Sequence, residues 1–143
     1  MKYRLLSFDL QGTLSGSAFS DEFWLETLPA LYADNERISI VEAKEKLGRE
    51  FAQFGTYDER YYSAAYWLKR LDVRATFSEL VGRMRHQPHC FPDGIEFVAR
   101  ISKEIPVIIT SSTTREFIAL EIGGARQYIV AAYSSLDDFG IPG

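Results

Sequence analysis

The stretch Phe8-Asp9-Leu10-Gln11-Gly12-Thr13-Leu14 decides the fold. It closes a short apolar run, Tyr3 to Phe8, that has no helical stripe and stops abruptly at an acid and a glycine. A buried strand ending in a glycine turn has this form. Asp9 would then stand at the carboxyl end of a strand, where ligands of open parallel sheets sit. Two chemical readings are open for it there. It can attack an electrophile and form a covalent aspartyl intermediate, or it can cap a turn, as Asp commonly does. Gly12 permits a tight turn, from which nearby amides would point back toward the carboxylate.

Beyond this turn the signals become helical. Ser20 precedes Asp21 and Glu22 as an N-cap with acids in the first turn, and Trp24, Leu28 and Leu31 share one face. Ser39 with Glu42 has capping-box spacing, and Ile40, Ala43, Leu47, Phe51 and Phe54 follow at intervals of three and four, up to Gly55. Tyr61, Ala65, Leu68 and Leu71 form a third stripe, and Thr76 with Glu79 a second capping box. The aromatics of this region read as helix core. His86 and His89 read as surface residues near a hinge, and Ser15-Gly16-Ser17 as the other hinge. The pattern changes at Phe91. Pro92-Asp93-Gly94 opens a helix, with Asp93 and Glu96 at capping-box spacing, and Pro106 to Thr110 is a β-branched run typical of a strand buried on both faces. Thr113-Thr114-Arg115-Glu116 starts another helix that Gly123-Gly124 would end, and Gln127 to Tyr133 is a third strand. The expected fold class is therefore α/β, a Rossmann-like parallel sheet core of about three strands with an inserted helical unit.

Composition narrows the function. A 143-residue chain that is 46% hydrophobic and 25% charged is globular, and its net charge of −4 provides no footprint for nucleic acid. No apolar run reaches the roughly 20 residues that span a bilayer. The single cysteine, Cys90, excludes an internal disulfide, suits a reducing cytoplasm and reads as a buried apolar filler.

Four ordered features carry a family resemblance. Phe8 to Leu14 resembles the first signature of the haloacid dehalogenase-like (HAD) hydrolases, an Asp-x-x-Gly-Thr turn ending an apolar strand. Val107-Ile108-Ile109-Thr110-Ser111 resembles the second. Phe91-Pro92-Asp93-Gly94 is similar to the re-entry into the core after a helical cap of the first insertion type, and Tyr133 to Gly140 to the segment after the third strand. The resemblance implies a core of residues 1–14 and 91–143 with a cap of residues 15–90. It implies an aspartyl-nucleophile hydrolase of phosphatase type, acting on a small phosphorylated metabolite, without nucleic-acid or membrane partners. Asp9 would be the nucleophile and a ligand of Mg2+, and Gln11 would offer that ion its backbone carbonyl. Thr110 would act in catalysis and bind the transferring group, with Gly12 and the Ser111 amide beside it.

Two departures qualify this. Family phosphatases carry a general-acid Asp where this chain has Gln11, and an amide exchanges no proton at neutral pH; such catalysis is worth roughly 10²–10⁴-fold. Either the leaving group needs no proton, as a halide does, or the cap supplies the acid, with Asp21 and Glu22 as candidates. The family's Lys, acidic metal-binding motif and last two strands would follow Gly143. The resemblance thus implies a C-terminally truncated chain, weakened or inactive as it stands, whose first strand is apolar on both faces and keeps an open edge for self-association. The alternatives are a non-catalytic binding or oligomeric module on the HAD fold, and a 2-haloacid dehalogenase.

Overall fold

The computed structural model describes residues 4–55 and 58–141. The chain divides into two compact units, Met1–Ser17 with Pro88–Gly143, and Ala18–Gln87.

The first unit holds three parallel strands, β1 (Leu6–Phe8), β2 (Val107–Ser111) and β3 (Ala131–Ser134), in the order β1-β2-β3. Tyr3, the expected start of the first strand, lies outside the described residues. The third strand is shorter than expected, because Gln127 and Tyr128 belong to a 3-10 turn, Gly123–Tyr128. Helix α6 (Pro92–Ile101) precedes β2, α7 (Arg115–Glu121) joins β2 to β3, and α8 (Ser135–Phe139) follows β3. The capping box expected at Asp93 is absent. Pro92 already supplies the first helical residue, where its missing N–H costs nothing, and Asp93 Oδ1 accepts from the Gly94 amide at 3.0 Å.

Both crossovers step in the same direction across the sheet, so right-handed connections lay α6 and α7 on one face. The core forms there: Val98 of α6 and Ile118 of α7 pack with Val107 and Ile109 of β2, and Leu10, Leu14 and Ile129 join them. The opposite side of β2 alternates outward, with Ile108 half-buried and Thr110 exposed. The second strand is therefore not buried on both faces, as its β-branched run had suggested. Likewise β1 turns Ser7 outward rather than an apolar residue. A run of Val and Ile cannot by itself report whether helices cover one face or two.

In the second unit α1 (Ala18–Glu22) runs through a π-helical turn, Phe23–Thr27, into α2 (Leu28–Glu36). Pro29 has no N–H for the α-helical ladder, and the wider turn before it is closed by the Leu28 amide on the Phe23 carbonyl. Ser20 is thus inside a helix and not its N-cap. Helix α3 (Ile40–Phe54) starts on Ser39, whose hydroxyl accepts from the Glu42 amide at 3.2 Å, and stops at Gly55. The third stripe is displaced. Ser63 caps α4 (Ala64–Arg70), so Tyr61 lies before the helix in a 3-10 turn (Glu59–Tyr62), Ala65 is exposed, and the buried positions are Ala64, Trp67, Leu68 and, just past the helix, Leu71. Helix α5 (Phe77–Val81) has the full Thr76–Glu79 capping box, an arrangement worth about 1 kcal/mol. Phe19, Phe23, Trp67 and Phe77 are buried. Tyr57 lies outside the described residues.

Candidate active site

The pairing of β1 with β2 places the first-signature residues. Phe8 is opposite Ile109 in parallel register, so Asp9, the next residue, comes level with Thr110 at the carboxyl edge of the sheet. Both are exposed. The Thr110 hydroxyl is 2.9 Å from that of Ser7, a partner that the sequence reading had not named. Ser111 closes β2; it is buried, and its Oγ accepts from the Thr113 amide at 3.4 Å. A cavity of about 520 Å³ lies beside this edge, lined by Phe8, Thr13, Leu14 and the α6 residues Asp93, Phe97 and Arg100; Asp9 and Thr110 are not in its lining.

The turn after Asp9 is closed on itself. The Leu10 carbonyl accepts from the amides of Thr13, Leu14 and Ser15 at 3.2, 2.8 and 2.9 Å, and the Gly12 amide donates to the Ser15 carbonyl at 2.7 Å. Gly12 adopts φ +79°, a region that disfavours other residues, although a Cβ there would meet nothing within 4 Å. Gly12 permits the tight turn as expected, and its own N–H is used inside that turn, on the Ser15 carbonyl. Its two bridging bonds, Ser15 to Leu10 and Gly12 to Ser15, leave out the N–H and carbonyl of Gln11.

Those donors suit a hard cation. An exposed carboxylate on Asp9 and a main-chain oxygen on Gln11 are the ligand types that Mg2+ takes, with water and substrate oxygens completing the shell. Among the described residues, no three His, Cys, Asp or Glu side chains converge as a metal site.

The Gln11 side chain turns inward. Its Nε2 donates to Glu121 Oε1 at 2.6 Å, and Ser15 Oγ donates to Glu121 Oε2 at 2.6 Å. Glu121 is 1% exposed, and burial pushes its carboxyl pKa up against the pull of those two bonds. Cys90 is buried as expected; its Sγ donates to the Glu121 carbonyl at 3.1 Å, and burial raises its pKa. The sequence reading missed Glu121. The one available signal was an acid on the apolar face of the helix that begins at Arg115.

At the far side of the edge, Asp137 Oδ2 accepts from the Arg115 amide at 2.6 Å, and Asp138 pairs with the Arg115 guanidinium. The buried hydroxyls of Thr114 and Ser135, just past β2 and β3, have no hydrogen-bond partner.

Of the candidate acids in the helical unit, Glu22 is unsuited. Its carboxylate accepts from the amides of Arg85 and His86 at 2.9 and 2.7 Å and lies 2.8 Å from His86 Nδ1. These bonds, the Arg85 amide first, lower its pKa from 4.5 to about 2, so it carries no proton at neutral pH. Because the folded value lies below the unfolded one, its stabilising contribution is complete above pH 4.5 and disappears as pH falls toward about 2. Glu22→Gln is expected to flatten the acid limb of stability in that window, measured by circular dichroism against pH.

No family model and no curated protein matches the sequence. Among solved structures, the crystal structure of a HAD phosphatase from Thermococcus onnurineus superposes with a TM-score of 0.75 at 19% identity, covering 94% of this chain and 63% of that chain. The chain has that HAD-like fold and spans less than two thirds of the neighbour's length. Among the described residues, no helix is long and apolar enough to cross a membrane.

Proposed function

We propose that this chain carries the nucleophile half of a phosphatase-type hydrolase site that acts on a small phosphorylated metabolite. The observation that supports this most directly is the β1–β2 register, in which Phe8 lies opposite Ile109, so that Asp9 and Thr110 are the next residues along the two segments at the carboxyl edge. In this reading Asp9 attacks phosphorus in line, the bond to the leaving oxygen breaks, and an aspartyl phosphate forms. Water then attacks that phosphorus, releasing phosphate and returning the carboxylate. Thr110 and the Ser111 amide orient the transferring group. Asp9 and the Gln11 carbonyl would hold Mg2+, which when bound neutralises phosphate charge. The single buried cysteine suits a reducing cytoplasm.

With its amide donated to Glu121, Gln11 protonates no leaving group. Rates are expected to climb steeply as leaving-group pKa falls. Acetyl phosphate and aryl phosphates should be turned over, and alkyl phosphates of similar size should be slower by roughly 10²–10⁴-fold. Phosphate release across a matched series measures this slope, and a flat profile would mean that some group does supply the proton.

A second reading, a non-catalytic oligomeric module, is favoured by β1, whose outer edge pairs with no described strand. Edges of this kind template association with a second copy. Sedimentation gives the oligomeric state, and a beryllofluoride soak separates the two readings, since an adduct on Asp9 supports hydrolysis.

A further inference from the structure

Glu121 is a carboxyl group at 1% exposure whose two oxygens are both taken by neutral donors. A buried acid without a cation is costly, and an apolar residue would fill the end of α7 at less cost. Its two partners, Gln11 and Ser15, both belong to the turn that follows Asp9, and they lie 110 and 106 residues away in sequence. Ser15 also pairs with Leu10 and Gly12 through the main chain and forms an antiparallel bridge with Cys90, whose Sγ reaches the Glu121 carbonyl. One side chain therefore ties both ends of the turn to α7.

We propose that Glu121 is the positioning residue of the Asp9–Ser15 turn and that the amide at position 11 is matched to it. An acid at position 11 would set two carboxyl groups against each other at the 2.6 Å spacing that Gln11 now bridges. Position 11 is therefore a tie to α7 and takes no part in proton transfer. The meaning of this for catalysis rests on Asp9 being the nucleophile, but the pairing itself does not.

The test is a swap. Gln11→Glu alone is expected to lower Tm by roughly 5–10 °C. Adding Glu121→Gln should restore most of that loss, because the new amide can donate to position 11 and accept from Ser15. Glu121→Ala should speed hydrogen exchange at the Thr13, Leu14 and Ser15 amides by about tenfold or more, with Glu121→Gln, which keeps the shape, close to the parent. A double variant no more stable than the two single losses combined, or turn amides unmoved by Glu121→Ala, overturns the proposal. Beryllofluoride uptake at Asp9 reports separately. Rescue without an adduct removes the hydrolase reading and keeps the pairing, and an adduct without rescue does the reverse.

Discussion

Replacing Asp9 with Asn is expected to abolish Mg2+-dependent phosphate release, by roughly 10³-fold or more, and to prevent any beryllofluoride adduct. The size of the effect follows from the role. A carboxylate that forms the covalent bond has no substitute in an amide of the same shape, whereas a residue that only orients substrate leaves much of the rate intact. Asp9 is exposed and follows β1 directly, so the substitution removes no core contact, and Tm should remain within about 2 °C of the parent. Lost turnover with an unchanged melt assigns the chemistry to Asp9. Equal rates for parent and variant across acetyl and aryl phosphates would transfer the case to the oligomeric module.

Trp67→Ala is expected to cost about 3–5 kcal/mol, the range for truncating a large buried ring. Trp67 is fully buried, and its ring lies 4.3 Å from Phe51 and 5.5 Å from Phe54 and from Tyr66, centroid to centroid. The cavity would open where α3 meets α4, and the melt of the helical unit should fall by roughly 10 °C or more. Trp67→Phe should cost far less. It keeps most of the apolar surface and removes an indole N–H that is buried without a hydrogen-bond partner, which offsets part of the lost packing. Near-ultraviolet circular dichroism against temperature reads both variants, and a Phe variant as unstable as the Ala one would show that the indole N–H is satisfied after all.

Local patterns were legible where the physics is local. Ser39 and Thr76 cap the helices their side chains predict, because a cap joins residues only three apart. Gly55 ends α3 for the same reason. Legibility failed where a near neighbour competes. Ser63 captured the start of α4 from Tyr61, and Pro92 pre-empted the capping box at Asp93.

What the chain order determined by itself was the architecture: strand, helical block, helix, strand, helix, strand, with an acid after the first strand and a hydroxyl closing the second. Hydrophobic periodicity and turn residues encode such elements within a few positions of one another, and right-handed crossover then leaves little choice of topology. Tertiary structure alone decided which sheet face is covered and that Thr110 shares its hydrogen bond with Ser7. It also decided that Gln11 is held by Glu121 and not turned toward Asp9. Those outcomes join residues about a hundred positions apart, and no period in a sequence records which distant side chain a buried polar group will find.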